Sequence, residues 1–167
     1  AGSTNRNTQP NLWKDLVDAN VGITATTIAA VSSLSEDQKP KLILPGSQME
    51  YGNADLPWNE STTCKPATPY GVSKLLSTEL TLSAIRSESI SGCIVRLPIV
   101  FGPGQPPNML IPELMIKSIN REQILIGSGR QTRTFLSCKA LSNIFHQIAL
   151  SLLQKRDFEC QKHIAFA

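Results

Sequence analysis

The chain has 167 residues, 41% of them hydrophobic and 17% charged, with a formal net charge of +3. As a prior this is one globular unit, able to bury about two-thirds of its unfolded surface, and the balance excludes a disordered chain. Positive charge is scattered in pairs such as Lys39/Lys41 and Lys155/Arg156, too small for a nucleic-acid stripe, and no apolar stretch approaches membrane-spanning length. Neither a nucleic acid nor a membrane is therefore expected as partner.

From the N-terminus, Leu12 to Val31 predicts one helix with Leu16, Val17, Asn20, Ile23, Thr24, Thr27 and Ile28 on a single face. Lys41 to Leu44 predicts a short buried strand, ending at Pro45-Gly46-Ser47. A loop rich in Pro, Asn and Thr runs from Tyr51 to Thr68. Pro69 then opens a helix to about Ser89, its missing N–H harmless in the first turn. Gly92 is read as the break, and Cys93 to Leu97 as a second strand closed by Pro98. Beyond a loop from Phe101 to Pro107, Leu110 to Asn120 predicts a helix, Gln123 to Ile126 a strand and Gly127 to Arg130 a turn. Thr134 to Ser137 predicts a short strand, Lys139 to Lys155 a helix and His163 to Phe166 a last strand. Alternating helices and apolar strands predict an α/β fold, a mainly parallel sheet between helix layers.

Cys64, Cys93, Cys138 and Cys160 form no Cys-x-x-Cys pair, and with His146 and His163 they show no metal-ligand spacing. No metal is expected. A reduced, cytoplasmic setting fits the cysteines, and residues 1–8 are polar with no signal-peptide core.

Tyr70 and Lys74 stand four apart at the start of a helix and so share a face. A free tyrosine, with a pKa near 10, is a poor base at neutral pH. A neighbouring ammonium favours the phenolate and is expected to lower that pKa. Such a pair could take a proton from a hydroxyl as hydride leaves its carbon; it could equally be an exposed Lys beside a half-buried Tyr. Ser47 lies just past the C-terminal end of a strand, where open α/β sheets place ligands. It could donate to a substrate oxygen and orient the tyrosine, or simply shape the turn. Asn20, on the apolar row of its helix, needs hydrogen-bond partners, either a neighbouring backbone group or a water feeding protons to Lys74.

Ser47 with Tyr70-Gly-Val-Ser-Lys74 resembles the catalytic set of the short-chain dehydrogenase/reductases, and finer detail resembles their extended branch, the NAD-dependent epimerase/dehydratase group. Asn20-Val-Gly-Ile23 resembles that branch's Asn-Val-x-Gly-Thr helix. Gly46-Ser47-Gln-Met-Glu-Tyr51-Gly52 resembles its Ser-Ser-x-x-Val-Tyr-Gly loop, and Val95-Arg96-Leu97-Pro98-Ile-Val-Phe-Gly102-Pro-Gly its Leu-Arg-x-x-Asn-Val-Tyr-Gly-Pro-Gly segment. The stretch from Gly127 to Phe135 resembles Gly-x-Gly-x-x-x-Arg-Asp-Phe. The resemblance implies a partial Rossmann-like, doubly wound parallel sheet with its catalytic residues in 1–100. Residues 101–167 would form part of a small α/β substrate-binding region, with a last strand returning to the sheet.

Carried over residue by residue, it implies Tyr70 as acid/base, Lys74 binding the nicotinamide ribose, and Ser47 donating to the substrate oxygen. Asn20 maps to the proton relay, Pro98 to a backbone contact near the nicotinamide, and Ala1 to the end of a cofactor-binding strand. Arg133 maps to a clamp on the substrate diphosphate, a task suited to a guanidinium fork, and Ile99 to a position beside the sugar nucleotide. The implied cofactor is NAD or NADP, the implied substrate a nucleoside-diphosphate sugar, and a homodimer is an expectation by resemblance.

The sequence also departs from the family's pattern. It shows no phosphate-cradling glycine loop, so it reads as a fragment starting partway into the fold, with weak activity or none expected from this piece alone. Gln48 and Met49 stand where family dehydratases place Asp and Glu, which disfavours dehydration; Glu50, one place on, is expected to point elsewhere. An epimerase or ketoreductase of a nucleotide sugar is the leading expectation. Ile99, in place of an asparagine, leaves open a reductase of a non-sugar alcohol or ketone, and a non-catalytic cofactor-binding member is the further alternative.

Overall fold

The computed structural model describes residues 11–125, 127, 133–154 and 164–165. The N-terminal helical run is α1 (Leu12–Leu16), a π-helical segment (Val17–Gly22) and α2 (Ile23–Ser32). β1 (Lys41–Ser47) passes into a 3₁₀ turn (Gln48–Glu50). α3 (Pro69–Arg86), β2 (Ser91–Leu97), β3 (Ile99–Phe101), α4 (Leu110–Ile119), β4 (Phe135–Ser137), α5 (Cys138–Leu153) and β5 (Ile164–Ala165) follow.

β1, β2 and β5 form one sheet in that order, and β3 pairs with β4 in a second. All of these pairings are parallel. The main register runs from Lys41 opposite Ser91 to Ser47 opposite Leu97, and Val95–Arg96 lies opposite Ile164–Ala165.

The alternation of side chains along β1 and β2 divides the core in two. Cys93 and Val95 pack with Ile43 and Leu97 against Ile144, Phe145, Ile148 and Leu152 of α5. On the opposite face, Leu42 and Ile90 pack with Ile28 and Val31 of α2 and with Ala84 and Ile85 of α3. The sheet is thus covered on both sides, the doubly wound α/β arrangement expected from its apolar strands.

Several elements differ from the sequence-based expectation. β1 continues through Pro45 to Ser47; among the described strands it has a neighbour on one side alone, a setting that tolerates a residue without an N–H. The N-terminal run is not one α-helix. The wider π turn shifts its phase, so Val17 and Ile23 are exposed while Leu16, Asn20, Thr24, Thr27 and Ile28 are partly buried. Thr24 and Thr26 bond back to the carbonyls of Asn20 and Gly22 in this stretch, a habit that bends helices.

α3 stops at Arg86, where Glu88 takes a left-handed conformation. Gly92 is not the break but an interior residue of β2. β3, too short for any periodicity, was not expected; it lies opposite β4. Residues 123–125 form no strand, and Leu125 is 81% exposed. The expected end of that strand at Ile126, the turn beyond Gly127 and the flanks of β5 lie outside the described residues.

One contact locks α3 onto the turn after β1. A Cβ on Gly71 would stand 2.4 Å from the Met49 carbonyl oxygen, backbone that cannot swing aside. Gly71→Ala is expected to destabilise the protein by roughly 1–3 kcal/mol, measured as a lower urea midpoint at unchanged slope.

Candidate active site

Ser47 ends β1 and caps the turn that follows. Its backbone N–H donates to Glu50 Oε1 at 2.7 Å, and its Oγ accepts the Met49 N–H at 3.2 Å, a reciprocal capping box. Opposite this turn, the Thr68 hydroxyl accepts the Gly71 N–H at 3.1 Å, and Pro69 occupies the first turn of α3. The helix therefore begins where Tyr70 and Lys74 look towards the C-terminal end of β1.

The Ser47 hydroxyl lies close enough to the Tyr70 phenol to work against the rise of its pKa. Lys74 Nζ donates to the Pro45 carbonyl at 2.7 Å. Ser47, Tyr70 and Lys74 are thus brought together, with the Tyr70 side 44% exposed and open to a ligand.

The electrostatics correct one expectation. Tyr70 is shifted above the ordinary tyrosine pKa, not below it: burial is the main cause, the Ser47 hydroxyl works against it, and the Glu50 charge adds to the rise. The Lys74 ammonium is engaged with Pro45 and does not pull the phenol down. Burial lowers the pKa of Lys74 itself, against the opposing influence of Glu50.

Asn20, in the π segment, donates from Nδ2 to Ser73 Oγ at 2.9 Å, and Ser73 Oγ donates to the Tyr70 carbonyl at 2.9 Å. Neither account offered from the sequence describes this bond: it joins Asn20 to the residue beside Lys74 by a side chain. Pro98 is buried between β2 and β3. Ile99, half-buried, opens β3, its N–H donating to the Thr134 carbonyl at 3.2 Å. Arg133 is exposed, just ahead of β4 and so close in sequence to the strand that pairs with Ile99. Ala1 lies outside the described residues.

Behind the site sits a buried ion pair that reading for catalytic residues did not find. Glu50 is 0% exposed and Arg96 2%. Glu50 Oε2 accepts from Arg96 Nε at 2.7 Å and from Thr78 Oγ1 at 2.9 Å. Arg96 Nη1 donates to the Tyr51 hydroxyl at 3.2 Å, with the guanidinium 4.7 Å from the centre of that ring. Tyr51 in turn donates to the Asn59 carbonyl and stacks on Trp58. Arg96 inside an apolar strand was the available signal, because a buried charge requires a partner.

The profile of the NAD dependent epimerase/dehydratase family matches residues 1–160. The chain belongs to this family. It is 33% identical over 106 residues to dTDP-6-deoxy-L-talose 4-dehydrogenase (NAD(P)(+)) of Kitasatospora kifunensis, a match covering 62% of this chain and 33% of that protein. It is 32% identical over 112 residues to human dTDP-D-glucose 4,6-dehydratase, covering 66% of this chain and 32% of the relative. Among solved structures, TunA, an NAD dependent NDP-hexosamine 5,6-dehydratase involved in tunicamycin biosynthesis, superposes with a TM-score of 0.74 at 27% identity. That match covers 95% of this chain and 51% of TunA. The chain therefore spans about a third of the curated relatives' length and half of TunA's.

The family is NAD dependent. A phenol, an ammonium and a hydroxyl grouped at the C-terminal end of parallel strands suit the ribose and nicotinamide half of such a cofactor. Among the described residues no metal-binding cluster is present, and no helix is long and apolar enough to cross a membrane.

The two tyrosines of the chain, Tyr51 and Tyr70, can be followed separately by NMR after ring labelling. Ser47→Ala removes the hydroxyl that works against the rise of the Tyr70 pKa, so the titration of Tyr70 is expected to move further up while that of Tyr51 stays in place. A second expectation concerns stability. Arg96→Met leaves Glu50 buried without its charge partner and should cost about 3–5 kcal/mol, read from chemical denaturation.

Proposed function

We propose that this chain carries the proton-transfer centre of an NAD(P)-dependent epimerase or ketoreductase acting at a hydroxyl or keto carbon of a nucleoside-diphosphate sugar. The observation that carries the reading is the convergence of Ser47, Tyr70 and Lys74 at the end of β1. In this reading Tyr70 exchanges a proton with the substrate oxygen, Ser47 donates a hydrogen bond to that oxygen, and Lys74 holds the nicotinamide ribose. NAD, when bound, supplies or takes up the hydride. Pro98 contributes a backbone contact near the nicotinamide, and Ile99 lines the sugar side. Arg133 clamps the diphosphate. Asn20, its side chain held by the bond to Ser73, would hold a water that feeds protons to Lys74.

In this reading residues 1–100 carry the cofactor-binding part and 101–167 part of the substrate-binding region, with α5 and β5 returning to the main sheet. A second copy of the chain is proposed to cover the exposed apolar residues Trp13, Val17, Ile23 and Leu76.

Dehydration is disfavoured by the same geometry. Gln48 and Met49 carry no titratable group, and the Glu50 carboxylate is fully buried and bonded to Ser47, Thr78 and Arg96, so it cannot reach a sugar as acid or base.

Tyr70→Phe in the full-length protein is the direct test. Turnover of UDP- and dTDP-sugars is expected to fall by about 10²–10⁴-fold, while NAD affinity measured by calorimetry is barely changed. Unchanged turnover would remove the assignment. A pH profile gives an independent check. Because burial raises the Tyr70 pKa, phenolate is scarce at neutral pH. Hydride removal, which needs phenolate, should accelerate as pH rises; carbonyl reduction, which needs the phenol, should be insensitive near neutrality and fall only at alkaline pH.

A further inference from the structure

We propose that Glu50 is a positioning residue for this centre, holding the Ser47 turn in place against α3, the helix that bears Tyr70. The inference rests on the reading of Ser47 and Tyr70 given above. Glu50 Oε1 fixes the Ser47 amide, and the turn it closes brings the Met49 N–H onto Ser47 Oγ. With that hydrogen bond accepted, the Ser47 hydroxyl has its own hydrogen to give, to the phenol or to a ligand oxygen. The other carboxylate oxygen receives Arg96 from β2 and Thr78 from α3. α3 also carries Tyr70 and Lys74. One carboxylate thus references Ser47 to the helix that bears its two partners.

A neutral amide cannot replace it. With its oxygen towards Ser47, a glutamine would turn its NH₂ onto the Arg96 N–H; flipped, it would oppose the Ser47 N–H. The space is matched as well, since a Cβ on Gly46 would lie 2.8 Å from Glu50 Oε1.

The test compares how strongly Ser47 is felt by Tyr70 with and without Glu50, in the full-length protein with ring-labelled tyrosine. Glu50 is the charge that acts on the phenol, with Arg96 bonded behind it and Lys74 on the same helix. Their direct influence cancels when the effect of Ser47→Ala is taken as a difference within each background. Ser47→Ala raises the Tyr70 titration in the native background; with Glu50→Gln in place, that rise is expected to shrink by about half or more. Hydrogen exchange at the Ser47 amide should accelerate roughly 10-fold or more, the loss of a charge-assisted bond, while Cys93 to Val95 keep their protection. Loss of kcat with KM little changed is the matching kinetic signature. An equal Ser47→Ala effect in both backgrounds would overturn the proposal. Absence of any Ser47→Ala effect in the native background would instead bring down the pairing of Ser47 with Tyr70, and the proposed function with it. If Glu50→Gln does not fold, Thr78→Val, which removes one anchor at similar volume, takes its place with the same deciding comparison.

Discussion

A carboxylate sealed from water must have its charge and lone pairs answered by the protein, and the answer dictates the surrounding geometry. Here Glu50 is answered by a strand-end amide, a helix hydroxyl and a guanidinium from the neighbouring strand. Three separate elements are held at one point. Removing any of them leaves a buried group without a partner, so the turn after β1, the middle of α3 and the C-terminal end of β2 are constrained together. Such an ion pair is not in itself strong evidence of added stability, since burying the charges opposes their attraction. Its evident effect is to define a single arrangement at the mouth of the sheet.

That arrangement explains how modest secondary structure can present a defined site. The twofold alternation of β1 and β2 sends one set of side chains to α5 and the other to α2 and α3. The ends of the strands then emerge between layers, where backbone and side-chain polar groups have no sheet to bond. Ser47 and Pro45 lie at that emergence, and Tyr70 and Lys74 reach it from the first two turns of α3. Small residues permit the approach: Gly71 lets helix backbone lie against the turn, and Gly46 leaves room for the carboxylate.

Much of this was legible in the sequence, and the part that was not has a physical reason. Apolar runs around Ile43 and Val95 announced buried parallel strands, and Thr68-Pro69 announced a helix start, because burial and capping act locally. The grouping of Ser47, Tyr70 and Lys74 was legible through spacing and resemblance. The direction of the Tyr70 shift was not, since it depends on burial and on which acceptor Lys74 selects, and both are tertiary facts. The partnership of Glu50 with Arg96 spans two elements distant in sequence, and an isolated acidic residue in a turn does not reveal whether it faces inward. The π segment escaped notice because one extra residue in a turn alters helical phase without altering composition. β3 was too short for periodicity to register.

The bond between Lys74 and the Pro45 carbonyl carries a thermodynamic consequence. An ammonium carries three N–H donors and the Pro45 carbonyl takes one, so a ligand hydroxyl can bond Lys74 without displacing it. The carbonyl limits where the other two donors point. A hydroxyl that arrives there meets a cation already oriented, so less freedom is lost on association.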